Sequence, residues 1–342
     1  MSKQPLAVKY RPKQFDDLTE QGAIKEILTY QINSKSNKNS YLFTGPAGCG
    51  KTTSARIFGT MLNNGVKNLI ELDAASNNGV DDIRKIIEEA KFQDLSSQYK
   101  IYIIDECHML SIGAWNALLK LLEEPPLTTV FILCTTDAQK IPKTILSRVQ
   151  RFDFKKISYE GIIKRLIYIL SQEQSENANI IYYPEAVEYI ARLSEGGMRD
   201  AITLLDKCLS YSNELSLDNV IKALDVTDMS IMYDLSETLF NHNLEHLIEL
   251  TERIYYEGND LKIFSKQYLT YIVNCIKYLA TGNEKMTNLP KRIIDLVNNT
   301  KGGKDDYLKL MNHLIKLNEL IKWETSPKTL FQSYLISYIC ED

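Results

Sequence analysis

Eight consecutive residues, Gly45-Pro46-Ala47-Gly48-Cys49-Gly50-Lys51-Thr52, fit the pattern G-x-x-x-x-G-K-[ST] in full. Glycines let a loop curl until its backbone N–H groups point at phosphate oxygens, and the helix that follows adds its positive N-terminal end. Lys51 is then expected to reach the β and γ phosphates of ATP, Thr52 to sit where Mg²⁺ binds, and Thr53 to join the loop in binding the nucleotide. Further on, the apolar run Ile101-Tyr102-Ile103-Ile104 delivers two carboxylates, Asp105 and Glu106. Asp105 is expected to hold the magnesium shell. Glu106 is expected to polarise the attacking water, which needs a carboxylate within one hydrogen bond of it. Taken alone, such an acidic pair equally suits the cap of a following helix, but downstream of a complete phosphate loop the chemical reading gains weight.

These side chains work only if strands and helices deliver them to one edge. Short apolar runs at Tyr41-Leu42-Phe43, Leu69-Ile70-Glu71-Leu72, Ile101-Tyr102-Ile103-Ile104 and Val130-Phe131-Ile132-Leu133 have the length and branched content of buried parallel strands. Between them, segments 81–92 and 114–124 carry apolar residues at helical spacing, and Pro125-Pro126 stops the second. The alternation predicts a doubly wound α/β domain with the ligand at the carboxyl ends of its strands. After the strand-like Arg151-Phe152-Asp153-Phe154, strand signals vanish and amphipathic helical pattern continues, punctuated by Gly196-Gly197, by a linker over 225–228 and by Gly302-Gly303. The expected class is therefore α/β followed by all-α, with domains over 1–155, 156–224 and 225–342.

Composition bounds the rest. With 44% apolar and 25% charged residues in 342, the chain can bury more than one core, and no apolar run is long enough to cross a bilayer. The start, Met1-Ser2-Lys3-Gln4-Pro5, does not resemble a signal peptide, so a cytoplasmic, membrane-free protein is expected. Six scattered cysteines without a C-x-x-C pair read as buried free thiols. A net charge of −4 argues against coating nucleic acid by bulk charge and leaves only local basic surface for DNA.

Around Asp105-Glu106-Cys107-His108 the chain resembles the AAA+ clamp-loader ATPases, and among them the gamma/tau subunit family of bacterial DNA polymerase III. The resemblance covers the first two expected domains. It is carried also by Lys9-Tyr10-Arg11-Pro12, Glu71-Leu72-Asp73-Ala74-Ala75-Ser76-Asn77, Asn116-Ala117-Leu118-Leu119-Lys120-Leu121-Leu122-Glu123-Glu124-Pro125-Pro126 and Thr144-Ile145-Leu146-Ser147-Arg148. It implies an AAA+ domain, a helical lid and a C-terminal helical collar. It also implies roles that spacing does not reveal. Arg148 resembles the arginine finger that enters a neighbouring subunit's site, Thr136 a sensor of the γ phosphate, Arg199 a second sensor on the lid, and Tyr10, Arg11 and Pro12 the segment that packs on adenine. For Arg148 a surface arginine at a helix end is the alternative. The implied function is that of a clamp-loader subunit which uses ATP to open a sliding clamp and load it on primed DNA. Its implied partners are the other subunits of a five-membered ring, the clamp, and primer-template DNA through its backbone.

Two departures qualify the resemblance. Only 63–68 lies where family members carry a cysteine-rich module, so zinc is not expected, and the sequence in hand ends at Asp342, where tau-type members continue, so a short form is expected. For DNA, Arg84 and Lys85 are candidate phosphate contacts, a solvated helix face explaining them as well. His242-Asn243-Leu244-Glu245-His246 fits H-x-x-E-H, but two histidines on a solvated helix explain it without zinc. Two other classes stay open: another DNA-directed AAA+ ATPase, in branch migration or fork maintenance, and a scaffold that binds ATP without turnover.

Overall fold

The computed structural model describes residues 4–66, 68–90, 92, 97–224 and 229–340. In chain order the elements begin with α1 (Leu6–Lys9), α2 (Gly22–Asn33), β1 (Ser40–Thr44), α3 (Lys51–Leu62), β2 (Leu69–Asp73), α4 (Val80–Ala90), β3 (Lys100–Asp105) and α5 (Ile112–Glu123). They continue with β4 (Thr129–Thr135), α6 (Lys143–Leu146), β5 (Gln150–Asp153), α7 (Tyr159–Glu176), β6 (Ile181–Tyr182), α8 (Pro184–Leu193), α9 (Met198–Tyr211), β7 (Glu214–Leu215) and α10 (Leu217–Leu224). The last six are α11 (Met229–Phe240), α12 (Leu244–Tyr256), α13 (Leu261–Thr281), α14 (Lys291–Asn299), α15 (Lys304–Leu320) and α16 (Pro327–Cys340).

These elements form two compact units, Met1–Ile180 with Ile190–Ser210, and Ile181–Tyr189 with Tyr211–Asp342. The first is built on a five-stranded, all-parallel sheet in the order β2-β3-β4-β1-β5. Every residue of β1 and β4 is buried, as unbroken apolar runs in a sheet covered on both faces must be. One face packs Leu42, Tyr102, Ile104, Phe131 and Leu133 against α4 and α5. The other packs Tyr41, Phe43, Ile103 and Ile132 against α2 and α3. Because the strands are all parallel, the end of β3 and the loop after β1 reach the same edge of the sheet. Ser111 caps α5 by accepting a hydrogen bond from Ala114 N at 3.2 Å, and Ser158 caps α7 from Gly161 N at 3.0 Å.

The second unit is helical, its core drawn from α11 to α16 and centred on Tyr268, Tyr271, Tyr307 and Phe331. It also holds β6 and β7, which pair in parallel through Ile181–Glu214 and Tyr182–Leu215. They correct the expectation that strand character ends after β5: two residues are too short to show a period of two. The expected turn at Gly302-Gly303 lies between α14 and α15, whereas the expected linker over 225–228 lies outside the described residues. Among the described residues no helix is long and apolar enough to cross a membrane.

Candidate nucleotide site

The phosphate-loop motif lies between β1 and α3, and its backbone demands glycine. Gly50 adopts φ +100°, and a β-carbon on Gly45 would stand 2.3 Å from the Phe154 carbonyl oxygen. Lys51 opens α3 with its side chain folded under the loop, 6% exposed, donating to the Gly45 and Pro46 carbonyls at 2.8 Å each. Among the described residues no carboxylate pairs with it, so its charge is uncommitted. Cys49 is buried with Sγ donating to the Pro46 carbonyl, and burial pushes its thiol up, so it is a packing residue of the loop.

The two halves of the expected site meet directly. Thr52 Oγ1 donates to Asp105 Oδ2 at 2.8 Å, and Asp105 Oδ1 accepts the Glu106 N–H at 3.0 Å. Glu106 adopts a left-handed φ of +45°, a turn that carries its carboxylate away from the strand direction toward the end of β4. There Oε2 accepts from Thr136 Oγ1 at 2.9 Å and from Thr136 N at 3.3 Å. His108 Nδ1 lies 3.3 Å from the same oxygen and 3.0 Å from Thr135 Oγ1. A hydroxyl and a carboxylate 2.8 Å apart form a hard, oxygen-only donor pair that suits Mg²⁺.

A cavity of about 460 Å³ opens over these groups. The loop and α3 line it from Ala47 to Thr53, Asp105 and Glu106 from one end, Met198 and Arg199 from the start of α9, and Tyr10, Arg11 and Pro12 from the segment after α1. The Met198 N–H donates to the Gly48 carbonyl at 3.1 Å, so α9 begins against the phosphate loop. Tyr10 OH donates at 2.8 Å to Glu173, which is 1% exposed, and the Tyr10 phenol is pushed up first by burial and then by that carboxylate.

Not every expected residue is in the cavity. Gly45 and Pro46 act through the carbonyls that hold Lys51, and Thr136 touches Glu106. Arg148 follows α6 outside the lining, its guanidinium 2.6 Å from Glu123 and bonded to the Thr144 carbonyl at 2.5 Å. Arg84 and Lys85 lie on the exposed face of α4, each with a carboxylate one turn back, Asp81 at 3.1 Å and Asp82 at 4.0 Å. His242 precedes the Asn243 cap of α12 while His246 lies within it, so the H-x-x-E-H histidines share no helix face; a sequence match does not place a helix start.

Other lining residues are absent from the sequence expectations. Arg56 is one turn beyond Thr52 on α3 and was legible from helical spacing alone. Leu18, Ile157, Arg165 and Ile202 complete the wall from four separate stretches of chain, and nothing local marks them.

Family models match twice: one described as DNA polymerase III, delta subunit, over residues 62–158, and one described as DNA polymerase III clamp loader subunit, ATPase lid domain, over 161–214. The chain is 35% identical to DNA polymerase III subunit tau of Bacillus subtilis across its whole length, covering 64% of that relative. It matches between 39% and 52% of the length of several longer curated relatives. DNA polymerase III subunit gamma of Buchnera aphidicola subsp. Baizongia pistaciae is 32% identical over 92% of this chain and 91% of its own length. Among solved structures, the Thermotoga maritima RuvB Holliday junction branch migration motor superposes with a TM-score of 0.53 at 20% identity, over 67% of this chain and 79% of that one, a likeness of fold. With the phosphate loop, the five-stranded parallel sheet, the lid match and 32% identity over 91% of a gamma subunit together, the chain belongs to the AAA+ clamp-loader gamma/tau subunit family of DNA polymerase III.

Proposed function

We propose that the chain binds ATP with Mg²⁺ in this cavity and hydrolyses it as one subunit of a five-membered ring, the ATP cycle opening a sliding clamp and releasing it on primer-template DNA. The observation that carries the reading is the meeting of Lys51, Thr52, Asp105, Glu106 and Arg199 around one cavity of about 460 Å³, a volume that suits a nucleotide. In this reading residues 1–155 are the ATPase domain, 156–224 the lid and 225–342 the collar.

Each residue then has a chemical task. The Gly45 to Thr53 loop and the start of α3 bind the phosphates through backbone N–H groups, and Lys51 gives its uncommitted charge to the outer two. Thr52 and Asp105 hold the cation, which when bound supplies neutralising charge to the phosphates. Glu106 Oε2 orients the attacking water and takes its proton. Thr136, bonded to that same oxygen, links the carboxylate to occupancy of the γ-phosphate position. Arg199 reaches the phosphates from the lid. Tyr10, Arg11 and Pro12 pack on the adenine. Arg148 leaves Glu123 on assembly and acts as a finger in the adjacent subunit, so positive charge reaches the transferring phosphoryl group only in the ring. Arg84 and Lys85 contact the DNA backbone in competition with their neighbouring carboxylates.

The likeness to a branch-migration motor is one of fold and brings no activity with it. The test is ATP turnover by the reconstituted complex with and without a sliding clamp and primed DNA. Joint stimulation is expected, and its absence overturns the proposal.

A further inference from the structure

The base end of the cavity is assembled by a helix of the expected lid rather than by the sheet. The segment after α1 that supplies Tyr10, Arg11 and Pro12 is too short to hold itself, since α1 is a single turn of four residues. Its backbone bonds close with the Arg11 N–H on the Val8 carbonyl at 3.3 Å, and the Tyr10 carbonyl beyond that turn must find its partner elsewhere, as at any helix end. Arg165, near the middle of α7, meets that need: its Nη2 donates to the Tyr10 carbonyl at 2.8 Å. The guanidinium lies 5.0 Å from the centre of the Tyr168 ring, which fixes its plane. Arg165 also lines the cavity itself and a second, neighbouring hollow, so it is the shared wall between them. Burial lowers its pKa, a cost the protein accepts at this position.

Two turns along the same helix, about 12 Å at 1.5 Å per residue, Glu173 takes the other end of the same residue. Tyr10 OH donates to Glu173 Oε1 at 2.8 Å, and Lys9 Nζ reaches Glu173 at 2.7 Å and Glu176 at 2.6 Å. The Lys9 ammonium is held above its usual range by these carboxylates, Glu173 first. A further anchor comes from α9, where Asp206 Oδ2 accepts the Leu6 N–H at 3.0 Å. Tyr10 is thus gripped at its backbone carbonyl and at its phenol by one helix, with its ring between the two grips.

We propose that Arg165 is a positioning residue for the base end of the site: it fixes the Tyr10 to Pro12 segment against which the adenine packs, and so sets affinity for the base without touching the phosphates. The inference rests on the reading that the cavity takes ATP. Because its action is on binding of ground state and transition state alike, its loss raises KM and leaves kcat.

The experiment compares ATP with inorganic tripolyphosphate, which keeps the phosphates and lacks the base, by titration calorimetry on the full chain. Arg165→Ala is expected to weaken ATP about tenfold, the scale of one charged hydrogen bond, and to leave tripolyphosphate unchanged. Arg165→Lys, which keeps the charge with a less matched donor, is expected to recover part of the loss. In the reconstituted complex Arg165→Ala is expected to raise KM for ATP with kcat retained. Equal weakening of both ligands, or ATP affinity indifferent to Arg165, overturns the inference. Should Arg165→Ala not fold, Arg165→Lys and Tyr10→Phe carry the same ratio test, each expected to weaken ATP and not tripolyphosphate. Lys51→Ala separates the two readings: if it spares both ligands, the site reading fails, whereas dependence on Lys51 with indifference to Arg165 sinks this inference alone.

Discussion

Replacing Glu106 by Gln changes one atom type at the point where the proposed chemistry happens. The carboxylate is held at Oε2 by Thr136 Oγ1 at 2.9 Å and Thr136 N at 3.3 Å, both of which a glutamine oxygen can still receive. The left-handed backbone at this position, φ +45°, is as open to glutamine as to glutamate. The fold is therefore expected to survive with a loss under about 1 kcal/mol, the difference between a charged and a neutral acceptor at a partly exposed site. Nucleotide affinity is expected to hold, because the phosphate loop, Lys51 and the Thr52–Asp105 pair are untouched. What disappears is the base. A positioned general base is worth about 10²- to 10⁴-fold, so the barrier is expected to rise by roughly 3 to 5.5 kcal/mol. Single-turnover hydrolysis in the assembled complex, read beside ATP binding, separates the two effects. Turnover within about tenfold of the unsubstituted complex, with binding intact, would refute the assignment of Glu106 to the water.

Two further outcomes follow from the same geometry. Mixing Arg148→Ala subunits with Lys51→Ala subunits is expected to restore some active sites, because where the two kinds alternate both lesions fall at one interface and the next keeps an intact Lys51 and an intact Arg148; loss confined to the substituted subunit's own site removes the trans role, and turnover per site reads it. Stability is expected to fall as pH rises above about 8.5. Burial pushes the Cys208 and Cys275 thiols up to about 12 and raises Cys49, Cys107 and Cys134 as well, so the unfolded chain ionises first and stability is lost from its thiol pKa upward, by at most about 1.4 kcal/mol per pH unit for each thiol. Urea midpoints under reducing conditions near pH 7.5 and near pH 9 measure it, below the pKa of about 10 at which unfolded tyrosines join, and equal midpoints would overturn it.

The features legible in the sequence share a cause: their signals are local. Strands β1, β3 and β4 were visible because both faces of a parallel sheet are covered and leave unbroken apolar runs, and they were found with borders shifted by a residue or two. The phosphate loop was visible because its glycines answer a backbone requirement met within eight residues. By contrast β6 and β7, two residues each, are strands only because they lie beside one another. The apparent H-x-x-E-H helix face failed for a related reason: Asn243 caps α12 one residue after His242, and the cap decides which histidine is helical.

Sequence alone determined the kind of chemistry, through Lys51, Thr52, Asp105 and Glu106, and the family, through motifs that sit on single loops and helix starts. Only the tertiary structure decided what encloses that chemistry. Arg165 and Tyr10 lie 155 positions apart and Glu173 lies 163 from Tyr10, yet Arg165 and Tyr10 line one cavity and Glu173 holds the Tyr10 phenol. No periodicity or spacing connects residues so distant, because their meeting depends on how α7 packs against the chain's beginning and not on any property of either segment by itself.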